Sequence, residues 1–575
     1  MELSQQSIHD VIHPTAAFSY VTASEPLEPP SDGLPWEKSS QNPKNRIDSL
    51  DPLENPLWRI DGCTAFGTQL YAVPLFIRPP RPYRVDFFIP EPAKLPTELR
   101  KLLDLDITFY TRDRSRISQL GITRHVLRIL QHWTLTMDDP SSIYRAVPFG
   151  SRIVVENLPS NVADAQISIA PAHHLERQLL SVSALRRFWG NDLELPPTVD
   201  IDDVEYVEQL HDSVCLVIID GSTCIFKAIT SYTKYLYHEL RQLLLIPPHP
   251  NIIARPLHLV TKRCGFGNKV AVVGFTVENH VHGSLRDLIP FLQLHGQISL
   301  KDKVKWSLQL ASALRHLRKS SREFYYSDSR LDNVVLSESG DVVMVDFEQR
   351  GVWCEFAAPE VNAIEYVRLL AVDDKIDASI RDKYARLLTG LLPGWEKMDK
   401  GEDYTWPSCG YNVPWSCLSR TEQEACEVYM LGRVLWCILE ASSAPQRAAV
   451  WLSYRWEPAV EFPDYSADTP EPLCRLINWC TRGRQPGLSK HIVRERDRLV
   501  MRHLENTGRS TAQQVQQTAR EWWTREIADA ERWLADRSEG MARGDWRENY
   551  YDRPTLDQVC DALAAFGAEI GVAAS

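Results

Sequence analysis

The feature that most constrains this chain is a change of pattern near residue 200. From there the sequence turns β-rich. Val214-Cys215-Leu216-Val217-Ile218-Ile219 and Cys224-Ile225-Phe226-Lys227-Ala228-Ile229 are expected strands. The turn signal Asp220-Gly221 lies in a connection read as longer than two residues. A helix is expected over Lys234 to Leu245, stopped by Pro247-Pro248, with further strands at 257–260 and 270–277. Ser299 with Asp302 three positions on resembles a capping box, and Leu300, Val304, Leu308, Ala311 and Leu314 supply the apolar stripe of the helix it opens. Beyond 360 the chain reads as mostly helical with long loops. Strands followed by helices predict an α+β fold with a small β-rich lobe, a larger helical lobe and a cleft between them.

The first 199 residues are less informative. Residues 1–56 hold eight prolines and little periodicity, and read as a flexible or irregular leader. Residues 57–199 are expected to form an additional N-terminal α/β region. Its signals are helical spacing between Ile117 and Trp133, short strands at 152–155 and 166–169, and a helix from Leu175 to Trp189. Leu195-Pro196-Pro197-Thr198 reads as a linker. No chemical constellation precedes residue 200.

Composition excludes several function classes. The net charge is −12, so a dominant basic face for nucleic acid is not expected. Twelve cysteines are scattered without a CxxC pair, which predicts free, mostly buried thiols in a reducing compartment. The N-terminus lacks the pattern of a signal peptide, and no run of apolar residues is long enough for a spanning helix. The expectation is an intracellular, cytoplasmic protein without membrane contact, with a nuclear location left open.

One constellation carries chemistry. Tyr326-Ser327-Asp328-Ser329-Arg330-Leu331-Asp332-Asn333 precedes a strand pair and Asp346-Phe347-Glu348. Asp346 ends the run Val342-Val343-Met344-Val345, where a buried carboxylate is costly unless it has a partner or a metal. The segment resembles the catalytic loop and metal-binding triplet of eukaryotic protein kinases, H-R-D-x-K-x-x-N and D-F-G. Asp328 and Asn333 are five apart, and Asp346 follows Asn333 by thirteen. Ala358-Pro359-Glu360 resembles the A-P-E motif.

Upstream, Phe226-Lys227 resembles the V-A-I-K lysine and Glu239 its ion-pair partner, while His249-Pro250-Asn251-Ile252 resembles the connector that follows. Val277-Glu278-Asn279-His280 with Gly283-Ser284-Leu285 resembles the hinge. Downstream, Glu427-Val428-Tyr429-Met430-Leu431-Gly432 resembles the D-V-W-S-x-G helix, and Arg553-Pro554-Thr555 the late R-P-T. The resemblance covers about 200–566, with lobes at about 200–278 and 283–566. It is most similar to the divergent protein-kinase-like domains of filamentous fungi that carry D-F-E in place of D-F-G.

The resemblance implies an ATP- and Mg²⁺-dependent protein kinase of serine/threonine type. Lys227 would hold the α/β-phosphates with Glu239 orienting it, and Asn333 and Asp346 would hold Mg²⁺. Glu278 and His280 would lie beside the nucleotide at the hinge. Asp328 would accept the hydrogen bond of the attacking hydroxyl, and Arg330, where a lysine is usual, would face the γ-phosphate. Phe347 reads as core packing, beside Leu243 and Tyr326.

The sequence departs from the family pattern at several points. The G-x-G-x-x-G loop expected around Glu208 to Val214 is absent, and between Gly190 and Gly265 the only glycine is Gly221. Glycine lets backbone amides approach phosphate closely, so its loss weakens nucleotide binding. Glu348 replaces the D-F-G glycine, Ser327 replaces the catalytic-loop arginine, and Glu427 replaces an aspartate. Activation by a phosphorylated loop is therefore not expected. The segment from Asp346 to Glu360 has fifteen residues, a small platform for a peptide.

Two insertions are expected, at 361–425 and 484–552. Val515, Trp522, Trp523, Ile527, Ala530 and Trp533 form a helical stripe in the second, which packs on the parent lobe or meets a protein partner. Its charge is nearly balanced, against a basic membrane helix. Three readings remain: a protein kinase acting on an unknown protein substrate, a kinase-shaped binding or scaffold module with weak or no phosphotransfer, and a small-molecule kinase.

Overall fold

The computed structural model describes Pro35 and residues 52–572, apart from 65–68, 81–84, 89–117, 446–459, 503–511 and gaps of one to three residues. Most of the expected leader therefore lies outside the described residues. Strands, and helices of eight residues or more, are numbered here along the chain.

The N-terminal region is built on β1 (Trp58–Thr64), β2 (Gln69–Pro74), β3 (Val85–Phe88), β4 (Arg152–Val155) and β5 (Ile167–Ala170), in that spatial order. Only β3 and β4 run parallel. Helix α1 (Gly121–Leu135) lays Ile122, Val126, Ile129 and Leu130 against Ile60, Leu70, Ile153 and Val155. The strands expected at 152–155 and 166–169 are β4 and β5. Part of the segment before Gly121 that was expected to open the helix lies outside the described residues.

A second sheet has the order β6-β10-β11-β9-β8-β7, from β6 (Thr198–Asp200), β7 (Glu205–His211), β8 (Val214–Ile219), β9 (Ser222–Ala228), β10 (His258–Arg263) and β11 (Val270–Glu278). Its pairings are antiparallel except β6 with β10. The β8–β9 connection is shorter than the sequence reading had it. Ile219 pairs with Ser222, leaving Asp220 and Gly221 at φ +50° and +77°. That left-handed pair matches the right-handed twist of the strands it joins, which is why Asp-Gly suits a two-residue hairpin.

The expected break at 199/200 does not separate two cores. Leu175, Leu179, Leu185 and Trp189 share one apolar core with Val217, Phe226, Leu240 and Val272. The expected linker ends in β6, whose three residues gain their stability by extending the larger sheet. The helix expected over 175–189 is two pieces, His173–Gln178 and α2 (Val182–Trp189). At the break, the Leu180 amide donates to Tyr237 Oη (2.8 Å), and Ser181 Oγ caps α2 by accepting from the Ala184 amide.

Helix α3 (Thr233–Leu245) packs on the sheet. Beyond β11 follow α4 (Leu285–Leu294), α5 (Leu300–Ser320), the strand pair β12 (Val334–Leu336) and β13 (Val342–Met344), α6 (Pro359–Val372) and α7 (Ala378–Leu391). The chain continues through α8 (Arg420–Glu440), α9 (Glu471–Cys480), the hairpin β14 (Ile492–Glu495) and β15 (Arg498–Met501), α10 (Ala512–Arg543) and α11 (Leu556–Glu569). The capping box on α5 forms as expected, with Ser299 and Asp302 bonding reciprocally.

Every residue of α8 from Ala425 to Glu440 is buried, so this helix is the axis of the helical part. Gly432 is required there because a Cβ would fall 2.7 Å from Cys480 Cβ on α9. The whole is a mixed α+β structure in which the six-stranded sheet precedes helices α4 to α11.

The tryptophan stripe of the second insertion faces inward. Trp533 and Ala530 join the core of α6 and α7, and Trp523 meets the Tyr366 ring edge-on at 5.0 Å. Cys224, Cys264, Cys417, Cys426, Cys474, Cys480 and Cys560 are buried free thiols, and Cys215 and Cys437 are buried as well. Among the described residues, no helix is long and apolar enough to cross a membrane.

Candidate active site

Lys227 lies on β9 in register with Phe275 of β11, near the middle of the sheet. A Cβ on the neighbouring Gly274 would fall 2.2 Å from the Lys227 carbonyl, so glycine lets the two strands close there. Glu239 projects from α3. Lys227 Nζ donates to Glu239 Oε1 and to Asp346 Oδ1, each at 2.7 Å. Glu348 Oε1 stands 3.9 Å from the same ammonium, and Glu348 Oε2 is paired with Arg350 Nε at 2.6 Å.

Burial alone would drive the Lys227 ammonium toward neutrality, but Asp346 and then Glu239 outweigh it and raise its pKa. The Glu239 pKa is raised too, because burial outweighs the pull of Lys227. Asp346 stays below its ordinary value, because Lys227 overcomes the cost of burial. Glu348 is pushed up to about 7, chiefly by burial, with Arg350 opposing.

The segment after β13 turns sharply. Asp346 has φ +66° and Gln349 φ +52°, conformations that non-glycine residues rarely adopt. The turn is held from several sides. The Phe347 amide donates to Glu239 Oε1 (2.9 Å), and the Phe347 ring meets Tyr326 edge-on at 5.1 Å. Tyr326 Oη donates to the Val345 carbonyl. Strain at an observed outlier, over-determined by its surroundings, is a feature of functional turns.

The loop 326–333 is organised around Asp328. Asn333 Nδ2 donates to Asp328 Oδ2 (2.8 Å) and to its carbonyl (3.0 Å), and Arg330 forms an ion pair with Asp328 at 3.0 Å. The loop is anchored from below: the Tyr326 amide donates to Glu427 Oε1 (3.0 Å), and Glu427 is paired with Arg318 at 2.9 Å. Glu427 therefore acts as a structural anchor.

No protein-family model and no curated protein matches this chain.

Of the residues singled out from sequence, Lys227, Glu239 and Asp346 meet directly, and Asp328, Arg330 and Asn333 form an adjoining group. Glu278 and His280 lie at and just beyond the end of β11. The Glu278 side chain is exposed, and burial lowers the pKa of His280. Ligand oxygens of Glu239, Asp346 and Glu348 lie within 4.8 Å of one another, and Glu239 Oε2 is buried without a hydrogen bond. Oxygen donors of this kind fit a hard divalent cation such as Mg²⁺.

The place expected for a glycine-rich loop is a hairpin. Residues of β7 and β8 pair from Glu205↔Ile218 to His211↔Val214, with irregularities between Tyr206 and Glu208 and between Gln209 and His211. The Gln209 amide already donates to Asp61 Oδ2 at 3.0 Å. Asp61, on β1, also accepts from Tyr206 Oη (2.5 Å) and pairs with Arg59 (2.6 Å). Sequence reading missed this cluster, because nothing local to Asp61 shows a partner some 145 residues away. Arg350 was missed as well, although its position two residues after Glu348 was a usable signal.

Glu360 and Arg553, named from separate motifs, form a buried bidentate pair at 2.9 and 3.0 Å. Ala358 is the N-cap of α6, with Pro359 in its first turn. Part of the 346–360 segment, residues 352–354, lies outside the described residues.

Proposed function

We propose that residues from about 200 to 566 form a two-lobed, protein-kinase-like unit that binds ATP with Mg²⁺ and transfers the γ-phosphoryl group to a protein hydroxyl, serine or threonine by type. The observation that carries this reading is the convergence of Lys227, Glu239 and Asp346 beside Asp328 and Asn333. Phosphoryl transfer needs positioned charge more than covalent help, and this group supplies both signs of it.

In this reading Asp346 exchanges Lys227 for a cation, and Lys227, still oriented by Glu239, turns to the α/β-phosphates. Mg²⁺, held by Asp346 and Asn333, would neutralise charge on the phosphates. Asp328 accepts the proton as the acceptor oxygen bonds to phosphorus and the bond to the ADP oxygen breaks. Arg330, already beside Asp328, offers a guanidinium to the transferred group. The unit is read as intracellular and cytoplasmic, where ATP is abundant.

Specific contacts favour a second reading, a binding or scaffold module with weak or no phosphotransfer. The Gln209 amide is engaged by Asp61, and Glu348 adds a carboxylate beside the phosphate position. A titration of ATP with and without Mg²⁺, read by thermal unfolding, separates the two, because a ligand stabilises only the state that binds it. The kinase reading expects a Mg²⁺-dependent shift and phosphate incorporation that falls by about 10²–10⁴ in Asp328→Asn. Unchanged incorporation in that variant removes Asp328 from the chemistry. No shift in the wild type supports the scaffold.

A further inference from the structure

The first insertion, 361–425, has no part in the phosphotransfer reading, yet its residues 395–407 and 410–412 lie against α3, the helix that carries Glu239. Eleven of the thirteen residues of α3 are buried, so the helix needs cover on faces the sheet does not reach.

The grip starts in the first turn. Lys234 is 1% exposed, and its Nζ donates to the carbonyls of Met398 (2.9 Å) and Asp399 (3.1 Å). The same ammonium lies 5.0 Å from the Tyr235 ring centroid and 5.2 Å from that of Tyr411, within cation–π range. One turn on, Tyr237 meets Tyr404 edge-on at 5.7 Å, and Tyr404 Oη accepts from Trp189 Nε1 at 2.7 Å. His238 faces Tyr411 at 5.9 Å. Gly410, at φ +74°, comes so close that a Cβ would fall 2.8 Å from His238 Nε2. In the next turn the Arg241 guanidinium stacks on Trp406 at 5.2 Å.

Residues 234, 237, 238 and 241 share one face of the helix, and Glu239 lies toward the opposite face, so the grip bears on the helix from behind that carboxylate. The gripping stretch is itself rooted. Arg368 of α6 pairs with Asp399 at 2.6 Å, and Asn412 Nδ2 donates to the Gly351 carbonyl at 3.0 Å, just beyond Glu348.

We propose that residues 395–407, with 410–412, are a built-in positioning clamp for α3. The clamp keeps Glu239 on Lys227 without any modification of the 346–360 segment. Lys234, Trp406 and Tyr411 are its positioning residues. The consequence for nucleotide binding rests on the reading of Lys227 as a phosphate ligand; the clamp itself does not.

The test uses the full chain, with hydrogen exchange read separately over 233–245 and 420–440, and with MgATP binding. Lys234→Met removes the donor from its cage. Trp406→Ala, at a half-exposed side chain, loosens the grip without opening the core. Both are expected to speed exchange over 233–245 by about tenfold while leaving 420–440 unchanged, and to raise the Kd for MgATP several-fold. Tyr411→Phe keeps the ring but removes the acceptor of the Thr405 amide (2.9 Å), and is expected to speed exchange over 233–245 less than Trp406→Ala does. Unchanged exchange over 233–245 in both variants overturns the clamp, and so does equal acceleration of both helices in Trp406→Ala. A wild-type chain that binds no MgATP sinks the phosphate-site reading, while the exchange contrast still decides the clamp.

Discussion

Two ion clusters of this protein use similar chemistry in opposite ways. Arg553 and Glu360 form a closed pair. The guanidinium is bidentate to the carboxylate, donates also to the carbonyls of Arg482 and Ala425, and lies against the rings of Tyr429 and Tyr551. Around Lys227 the balance is open. Three carboxylates share one ammonium and one guanidinium, Glu239 Oε2 has no hydrogen bond, and Glu348 is pushed up to about 7. A closed pair has nothing to exchange and holds the fold. An open cluster has surplus acceptors for a cation, or a proton, to satisfy.

The sharpest way to break this contrast is to open the closed pair. Arg553→Met leaves Glu360 buried without its partner and is expected to cost about 3–5 kcal/mol in denaturant unfolding. A loss under about 1 kcal/mol would mean that the pair does not hold the fold.

Lys227→Met acts on the open cluster. There the orphaned carboxylates relieve themselves by taking up protons, so the expected loss is smaller, about 1–3 kcal/mol at pH 8, and less at pH 6. Thermal unfolding at the two pH values checks it. A pH-independent loss as large as that of Arg553→Met would erase the distinction.

Glu348→Gln should have the smallest effect and a favourable sign. A carboxyl whose folded value is raised above its ordinary value binds its proton more tightly when folded. Its contribution is present at low pH and is lost as pH rises through the interval from about 4.5 to about 7. Removing the charge should therefore stabilise the protein by about 1 kcal/mol at pH 8 and flatten the stability profile across that interval. A variant less stable than wild type at pH 8 would show that the pair with Arg350 outweighs the burial cost.

Much of the open cluster could be read before the fold was known. Asp346 ends an apolar run, and Asp328 and Asn333 stand at a spacing that lets one side chain bond the other, as Asn333 Nδ2 does. The α5 cap was legible for the same reason, since Ser299 and Asp302 are three residues apart. The β8–β9 connection was misjudged by the length of β9, which begins at Ser222 rather than Cys224. The boundary at 199/200 was misjudged because Pro196-Pro197 looks like a linker, and only the partner strand β10 turns the next residues into an edge strand.

Local chemistry thus settled β8 to β11, α3, α5 with its cap, and the residue types around Lys227, because periodicity, turn geometry and short spacings act within a few residues. The tertiary structure alone decided which charges meet. Asp61 with Gln209, Lys234 with Met398 and Glu360 with Arg553 are each joined across more than a hundred residues. Such pairs form only after chain closure has been offset by apolar burial around them, and that cooperative condition is written in no local stretch of sequence.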